Sequence, residues 1–397
     1  MKEQTVYIVD ATRSAITKAN KGGFANTRPD ELLSKIIQAS VKKSGVNPSD
    51  IEDVIMGCAF PEAEQGQNIA RVASLLAGLP DTVPGITINR YCSSGLNSIA
   101  MAADMIQAGR AHVVLAGGIE SMSLIPMGGN DWSVSPTIFN NDKAHVDIAY
   151  GMGITAENVA NRWGITRLEQ DEFALNSHKM AAAAINNNYF NQEIEPIEIV
   201  KYIPNEKTDA IDEHKYVVSQ DEGVRFDTSL ESLAKLKPAF AQDGSVTAGN
   251  SSQMSDGAAC LVLVSEEYLN KHKLTPLAKF RSFAVAGVPP KIMGIGPIVA
   301  IPKALKQAKL TLDDIDWIEL NEAFAAQSLA VIKELKLDSN KINPYGGAIA
   351  VGHPLGATGA ILACKIIYGL KRTQKRYGLV TMCIGIGMGA AGIFEVL

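Results

Sequence analysis

The sequence predicts an α/β fold of two similar halves with an irregular region inserted between them, and three observations predict it. Strand-like and helix-like segments alternate at both ends of the chain, the two ends repeat the same order of elements, and the stretch between them loses that periodicity. In the first half, a helical pattern over 29–44 and an acidic turn over 48–53 lead into an apolar strand over 54–58. The second half repeats this with a helix over 297–309, an acidic turn over 311–316 and a strand over 317–321. Next, 86–89 enters a helix over 93–107 and returns through a strand over 112–117. The counterpart is a helix over 357–370 and a strand over 377–383, with 393–396 closing the chain. Alternation of this kind implies mainly parallel sheets covered by helices on their faces.

From about Met122 to Val246 prolines, asparagines and charged turns surround a few helical pieces, such as 153–162 and 166–187. The region is too long for a bare loop and reads as a lid-like insertion. The expected division is 1–121 with 247–270 as the first domain, 122–246 as the insertion, and 271–397 as the second domain.

Composition narrows the function by exclusion. A chain of 397 residues suits two or three cores, and its formal net charge of -5, with no basic run interleaved with aromatics, leaves no footprint for nucleic acid. The N-terminal apolar stretch is too short for a secretory signal and Glu395-Val396-Leu397 is not a peroxisomal address, so the cytoplasm is expected. Residues 378–394 are the nearest approach to a membrane span, but their glycines, Thr381 and Cys383 suit a buried strand and turn. Five scattered cysteines without Cys-x-x-Cys spacing indicate reduced thiols, with no disulfide framework and no metal site.

Three segments carry residues able to do chemistry. In Asn89-Arg90-Tyr91-Cys92-Ser93-Ser94-Gly95 a cysteine ends a strand and opens a helix, where the helix dipole and free N–H groups favour a thiolate. Taken alone, such a cysteine is more often a small buried hydrophobe. His353 lies among the glycines of 346–359, fixed by Pro354 and able to serve as base or oxyanion donor, whereas His112, His145, His178, His214 and His272 read as structural. Cys383 ends a second buried strand and runs into a glycine turn. Because Cys92 and Cys383 end equivalent strands of the repeat, convergence on one site follows from the tendency of such sites to lie at strand carboxyl ends. Cys58, Cys260 and Cys364 read as packing. Two glycine motifs mislead: Gly387–Gly392 has dinucleotide spacing with no room for a following helix, and Gly347–Gly352 lacks the Lys and Ser or Thr of a phosphate loop.

Taken together, Asn-Arg-Tyr-Cys92-Ser-Ser-Gly, Asn321-Glu-Ala-Phe, Gly352-His353-Pro-Leu-Gly-Ala-Thr-Gly and Cys383-Ile-Gly, in this order, resemble the thiolases. The resemblance covers essentially the whole chain and includes Gly118–Met122, Thr155–Ala160 and Thr247–Ser252. It implies two similar βαβαβαββ halves packed as a five-layered α-β-α-β-α sandwich with an inserted loop domain, assembled as a homodimer or homotetramer. It also implies an acyltransferase that cleaves 3-ketoacyl-CoA with CoA as co-substrate and needs no cofactor. By carry-over, Cys92 is the nucleophile, His353 activates it, Cys383 is the acid and base, and Asn321 holds an oxyanion water. The backbone N–H groups of Cys92 and Gly385 then hold the tetrahedral oxyanion, while Arg225, Ser252, Phe324 and Met152 line the path of CoA and its acyl group.

Two departures stand out. Gly151-Met152-Gly153 replaces the His-Met-Gly usual in thiolases that make acetoacetyl-CoA, which with Arg90 and Ser93-Ser94 makes the chain look like the degradative kind. Ile386 stands where the family usually has glycine, and a positive φ there would strain the Gly385 donor. The alternatives are an acetoacetyl-CoA thiolase working in the condensation direction and a non-catalytic acyl-CoA binding protein. A ketoacyl synthase generally lacks the second cysteine.

Overall fold

Apolar residues at both faces of nearly every strand require cover on both sides, and the chain meets that need with layers of helices. The computed structural model describes residues 4–131, 133–139, 146–204, 208 and 210–397. One half-sheet runs in the order Ile86–Ile88, Asp53–Gly57, Val113–Ser121, Ser255–Ser265, Val6–Arg13. The other runs Trp317–Leu320, Tyr377–Ile384, Met388–Val396, Ala278–Gly287. Ile342 bridges Ile318 in parallel, as Ile86 pairs with Ile55, so the two orders coincide strand for strand. A short antiparallel contact, Tyr7 with Lys279 and Ile8 with Ala278, joins the halves into one continuous sheet.

The expectation of mainly parallel sheets needs correction. Outside isolated bridges, parallel pairing is confined to Asp53–Gly57 with its two neighbours and to Trp317–Leu320 with Tyr377–Ile384, and the other named strand pairs are antiparallel. The physical reason is that a parallel return needs a crossover of a dozen or more residues. Only the turn at 385–387 separates Tyr377–Ile384 from Met388–Val396, so the chain folds straight back.

Alternation along the strands sorts side chains into layers. Val113, Leu115 and Ile119 pack with Leu33, Ile36 and Ile37 of the outer helix Pro29–Ser44, while Val114 and Ala116 face the central layer. In the second half Leu379 faces the outer helix Gly296–Ala308 and Val380, Met382 and Ile384 face the centre. The central layer is the helix pair Ser94–Gln107 and Leu355–Thr373, which meet through Leu96, Ile99, Ala103, Ala360, Ile361 and Ala363. In the insertion, Met152–Trp163 is followed by Arg167–Asn186, whose Thr166 and Glu169 form a capping box, and by the hairpin Ile197–Pro204 and Ile211–Val218. Buried Arg13 ties the insertion to the first strand through Glu193 at 2.8 Å and Asp221 at 2.8 and 3.0 Å.

The two central helices cross at their N-terminal ends, where only glycine fits. A methyl group at Gly95 would stand 2.8 Å from the Ala360 nitrogen and 2.9 Å from the Gly356 oxygen, and one at Gly359 would collide with the backbone of Leu96. Gly359→Ala is therefore expected to cost about 1–3 kcal/mol or more in urea unfolding, since backbone must move. Gly287→Ala, which meets nothing within 4 Å, should change stability far less. Equal effects of the two substitutions would refute the glycine-limited crossing.

Candidate active site

Cys92 lies in the 3-10 turn Tyr91–Ser93 that precedes the helix Ser94–Gln107, which starts one residue later than the sequence predicts. The turn is held open by Tyr91 at φ +44°, a left-handed conformation uncommon for an aromatic residue. Its supports are local: Asn89 Oδ1 accepts from Tyr91 N–H at 2.8 Å, and Ser94 Oγ accepts from Arg90 N–H and donates to the Tyr91 carbonyl. Cys92 is half-buried and packs with Tyr91, Ala59, Met122 and Leu355. Its thiol does not have the depressed pKa expected at a helix start. Burial pushes it up to about 12, and the N–H groups of Gly385 and of Cys92 itself pull against that rise. At neutral pH the resting group is a thiol.

His353 sits just before the helix Leu355–Thr373 and is 4% exposed. Its Nδ1 lies 2.6 Å from Thr358 Oγ1, and its Nε2 lies 3.3 Å from Asn321 Nδ2. Burial pushes its pKa down to about 4, so the ring is neutral at neutral pH. Asn321 follows the strand Trp317–Leu320 and is held by donating its own N–H to the Thr381 carbonyl at 2.9 Å. Its Oδ1 is buried without a protein hydrogen-bond partner among the described residues.

Cys383, in the strand Tyr377–Ile384, is fully buried beside Met152, Ala156, Met293 and Phe324. Burial first and the neighbouring Cys92 second push its thiol up. A methyl group at Gly385 would lie 3.8 Å from Met152 Sδ and 3.8 Å from the Tyr91 ring, which places Gly385 between the two cysteine segments. Ile386 does adopt the left-handed conformation, at φ +63°, and Gly387 follows at +82°.

The residues expected along the CoA path fall in two groups. Phe324 and Met152 are in the Cys383 cluster, and Ser252 donates its N–H to the Ala323 carbonyl at 2.9 Å. Arg225 is exposed, and its backbone N–H is donated to His178 Nδ1 at 3.2 Å. Burial, with Arg225 and Lys18 nearby, pushes buried His178 down to about 4. His145 lies outside the described residues.

Three positions had no assigned role. Gln253 joins the Arg225 loop to the His353 loop by donating to the carbonyls of Gly223 and Ala350 and accepting from His353 N–H at 3.3 Å. Buried Glu120 accepts from Ala59 N–H at 2.8 Å, Gln65 Nε2 at 2.9 Å and Gly356 N–H at 2.7 Å, which ties the start of the second central helix to the first half. Thr358 is the third. Glu120 and Thr358 stand inside recognisable motifs, but nothing in their spacing signals what they bond.

The fold and the motifs converge with the comparisons. A family model described as "Thiolase, N-terminal domain" matches residues 6–267, and one described as "Thiolase, C-terminal domain" matches residues 274–396. The chain belongs to the thiolase family. It is similar to the 3-ketoacyl-CoA thiolase of Bacillus subtilis (strain 168), 51% identical over 100% of both chains. It also resembles the peroxisomal 3-ketoacyl-CoA thiolase of Homo sapiens, 46% identical over 98% of this chain and 90% of that one. Among solved structures, human mitochondrial 3-ketoacyl-CoA thiolase matches with a TM-score of 0.89 at 37% identity, and Bacillus anthracis acetyl-CoA acetyltransferase with 0.88 at 42%. Each covers 100% of both chains. The layered sandwich described above is the thiolase fold.

The left-handed conformation of Ile386 in this thiolase allows a direct test of backbone strain. A β-branched residue in that conformation costs roughly 1–2 kcal/mol, so Ile386→Gly is expected to stabilise the protein, whereas Ile386→Val, which keeps the branch, should not. Denaturant midpoints check this, and a loss of stability in the glycine variant would show that the Ile386 side chain contributes more than its backbone costs.

Proposed function

We propose that this thiolase cleaves 3-ketoacyl-CoA with CoA, giving acetyl-CoA and an acyl-CoA shortened by two carbons, as in fatty acid β-oxidation. The observation that carries the reading is that Cys92 packs with Leu355, two residues after His353, and neighbours buried Cys383, so two thiols and one imidazole converge. His353 removes the Cys92 proton as sulfur attacks the 3-keto carbon, and the N–H groups of Cys92 and Gly385 hold the oxyanion. Those N–H groups serve the sulfur in the resting enzyme, and an acylated sulfur is a poorer acceptor, which frees them for oxygen. Cleavage of the C2–C3 bond leaves an acetyl-CoA enolate, stabilised by His353 and an Asn321-bound water and protonated by Cys383. The resulting Cys383 thiolate takes the proton of an incoming CoA, whose sulfur attacks the acyl-Cys92. Thiol and imidazole supply every proton transfer, so no metal or cofactor enters the reaction.

Among the described residues Met152 and Phe324 beside Cys383 support their place on the acyl path, and Ser252 and Arg225 are assigned to CoA. The names of the relatives and Gly151, which leaves room for longer acyl groups, favour the degradative direction. The likeness to Bacillus anthracis acetyl-CoA acetyltransferase keeps acetyl-CoA condensation as the second reading, because one set of residues runs both directions. No helix among the described residues is long and apolar enough to cross a membrane, and we assign the enzyme to the cytoplasm. A homodimer or homotetramer is favoured by the edge strand Ile86–Ile88, where Ile86 is 42% exposed beside Leu75 at 41% and Leu76 at 52%.

Thiolysis of acetoacetyl-CoA and a longer 3-ketoacyl-CoA, followed by loss of the ketoacyl chromophore, tests the reading. Faster turnover of the longer substrate is expected, with loss of activity in Cys92→Ala. Cys383→Ala should retain a Cys92 that iodoacetamide alkylates but lose at least about a hundredfold in turnover. Preference for acetoacetyl-CoA would favour the condensing reading, and turnover of neither substrate would leave the binding-protein alternative. The depressed His353 pKa also sets the acid limb of kcat/KM. The base works only unprotonated, so activity should hold as pH falls through 6.5 and be lost towards about 4. An inflection near 6.5 would contradict the buried neutral ring.

A further inference from the structure

We infer that Thr358 is a positioning residue that fixes the tautomer of His353, holding the proton on Nδ1 so that Nε2 presents its lone pair to the site. The inference rests on the role proposed for His353 and extends it to a residue that does not touch substrate.

The argument is a count of protons along one hydrogen-bonded chain. Thr358 Oγ1 is 2.9 Å from the Pro354 carbonyl oxygen, which has no proton to give, so the single hydroxyl proton of Thr358 is committed there. Thr358 Oγ1 can then only accept from His353 Nδ1, 2.6 Å away, and Nδ1 must carry the imidazole proton. At the other end of the ring, Asn321 Nδ2 lies 3.3 Å from Nε2, and an amide nitrogen is a donor, so Nε2 is the acceptor. Both ends of the chain specify the same tautomer. The threonine is 3% exposed on the first turn of Leu355–Thr373, with its backbone N–H also bonded to the Pro354 carbonyl at 2.9 Å, so helix formation itself aims the hydroxyl.

The consequence is directional proton transfer. As the Cys92 S–H bond breaks, the proton goes to Nε2 in place of the long Asn321 amide contact, and the electron pair stays on sulfur to form the new bond to the substrate carbonyl carbon. The imidazolium keeps its Nδ1–H on Thr358 and gains an Nε2–H with which to meet the enolate oxygen. Without the threonine acceptor the ring is free to hold its proton on Nε2, where it can accept nothing from Cys92.

Thr358→Val keeps the shape and β-branching but removes the acceptor, and Thr358→Ser keeps the hydroxyl. Two readouts separate positioning from packing: the rate at which iodoacetamide alkylates Cys92 between pH 6 and 8, which needs no substrate, and kcat and KM for thiolysis. Thr358→Val should slow alkylation at least tenfold and lower kcat by a similar factor with KM for CoA little changed. Thr358→Ser should return both to within about threefold of wild type, as expected where a hydrogen bond sets a tautomer. Wild-type alkylation in Thr358→Val, or equal impairment in the valine and serine variants, would overturn the inference. So would a wild-type 15N spectrum in which His353 Nε2, not Nδ1, carries the proton. If the wild type turned over no 3-ketoacyl-CoA, the functional reading would fail while the alkylation rates and the 15N spectrum still decided the role of Thr358.

Discussion

The geometry of this enzyme depends on how closely two helix N-termini can approach. Helices normally pack with 8–10 Å between axes, set by the side chains at the contact. Here Gly95 and Gly359 remove those side chains, Gly118 lets the strand beneath approach the Gly356 carbonyl, and Gly356 admits the backbone of Cys58 and Ala59. Gly95 lies three residues after Cys92 and Gly356 three residues after His353, so the crossing brings the two reactive segments together. Each half of the repeat contributes one central helix, and neither half alone contains a site. The buried carboxylate of Glu120 holds the junction, at the end of a first-half strand but bonded to the N–H that opens the second-half helix. A carboxylate there satisfies free N–H groups at the helix start, and its nearness to Cys92 adds a little to the rise in the thiol's pKa.

Much of this was legible in the sequence, for reasons that differ by residue. Cys92, Asn321 and Cys383 stand at or just after strand ends, with Gly95 and Gly385 near the two cysteines and Gly352 beside His353, and glycine punctuation survives in a linear reading because close backbone approach excludes other residues. The repeat was legible too, since both halves must solve the same packing problem and reuse one order of elements. The strain at Ile386 was foreseeable because a turn of three residues between paired strands commonly needs a left-handed position. What escaped was pairing direction and electrostatics. Alternation of strands and helices does not reveal that Met388–Val396 returns directly on its neighbour, and a helix start predicts a low thiol pKa only if the sulfur keeps its water. The bonds of Gln253, Glu120 and Thr358 escaped as well, since each joins segments whose proximity only the fold creates.

The energetics of the resting site then limit how the reaction can begin. Burial raises the Cys92 thiol and lowers the His353 imidazole, and both shifts oppose the thiolate–imidazolium pair. Attraction between the two new charges returns only part of that cost. A preformed ion pair therefore stays a rare species, unlike the resting thiolates of electropositive cysteine sites. Proton transfer from Cys92 must accompany carbon–sulfur bond formation, so that negative charge passes to the substrate oxygen, where the N–H groups of Gly385 and Cys92 can meet it. The same burial that keeps the resting sulfur protonated makes those dipoles effective once the charge has moved, and it keeps Cys383 protonated until an enolate is there to take the proton.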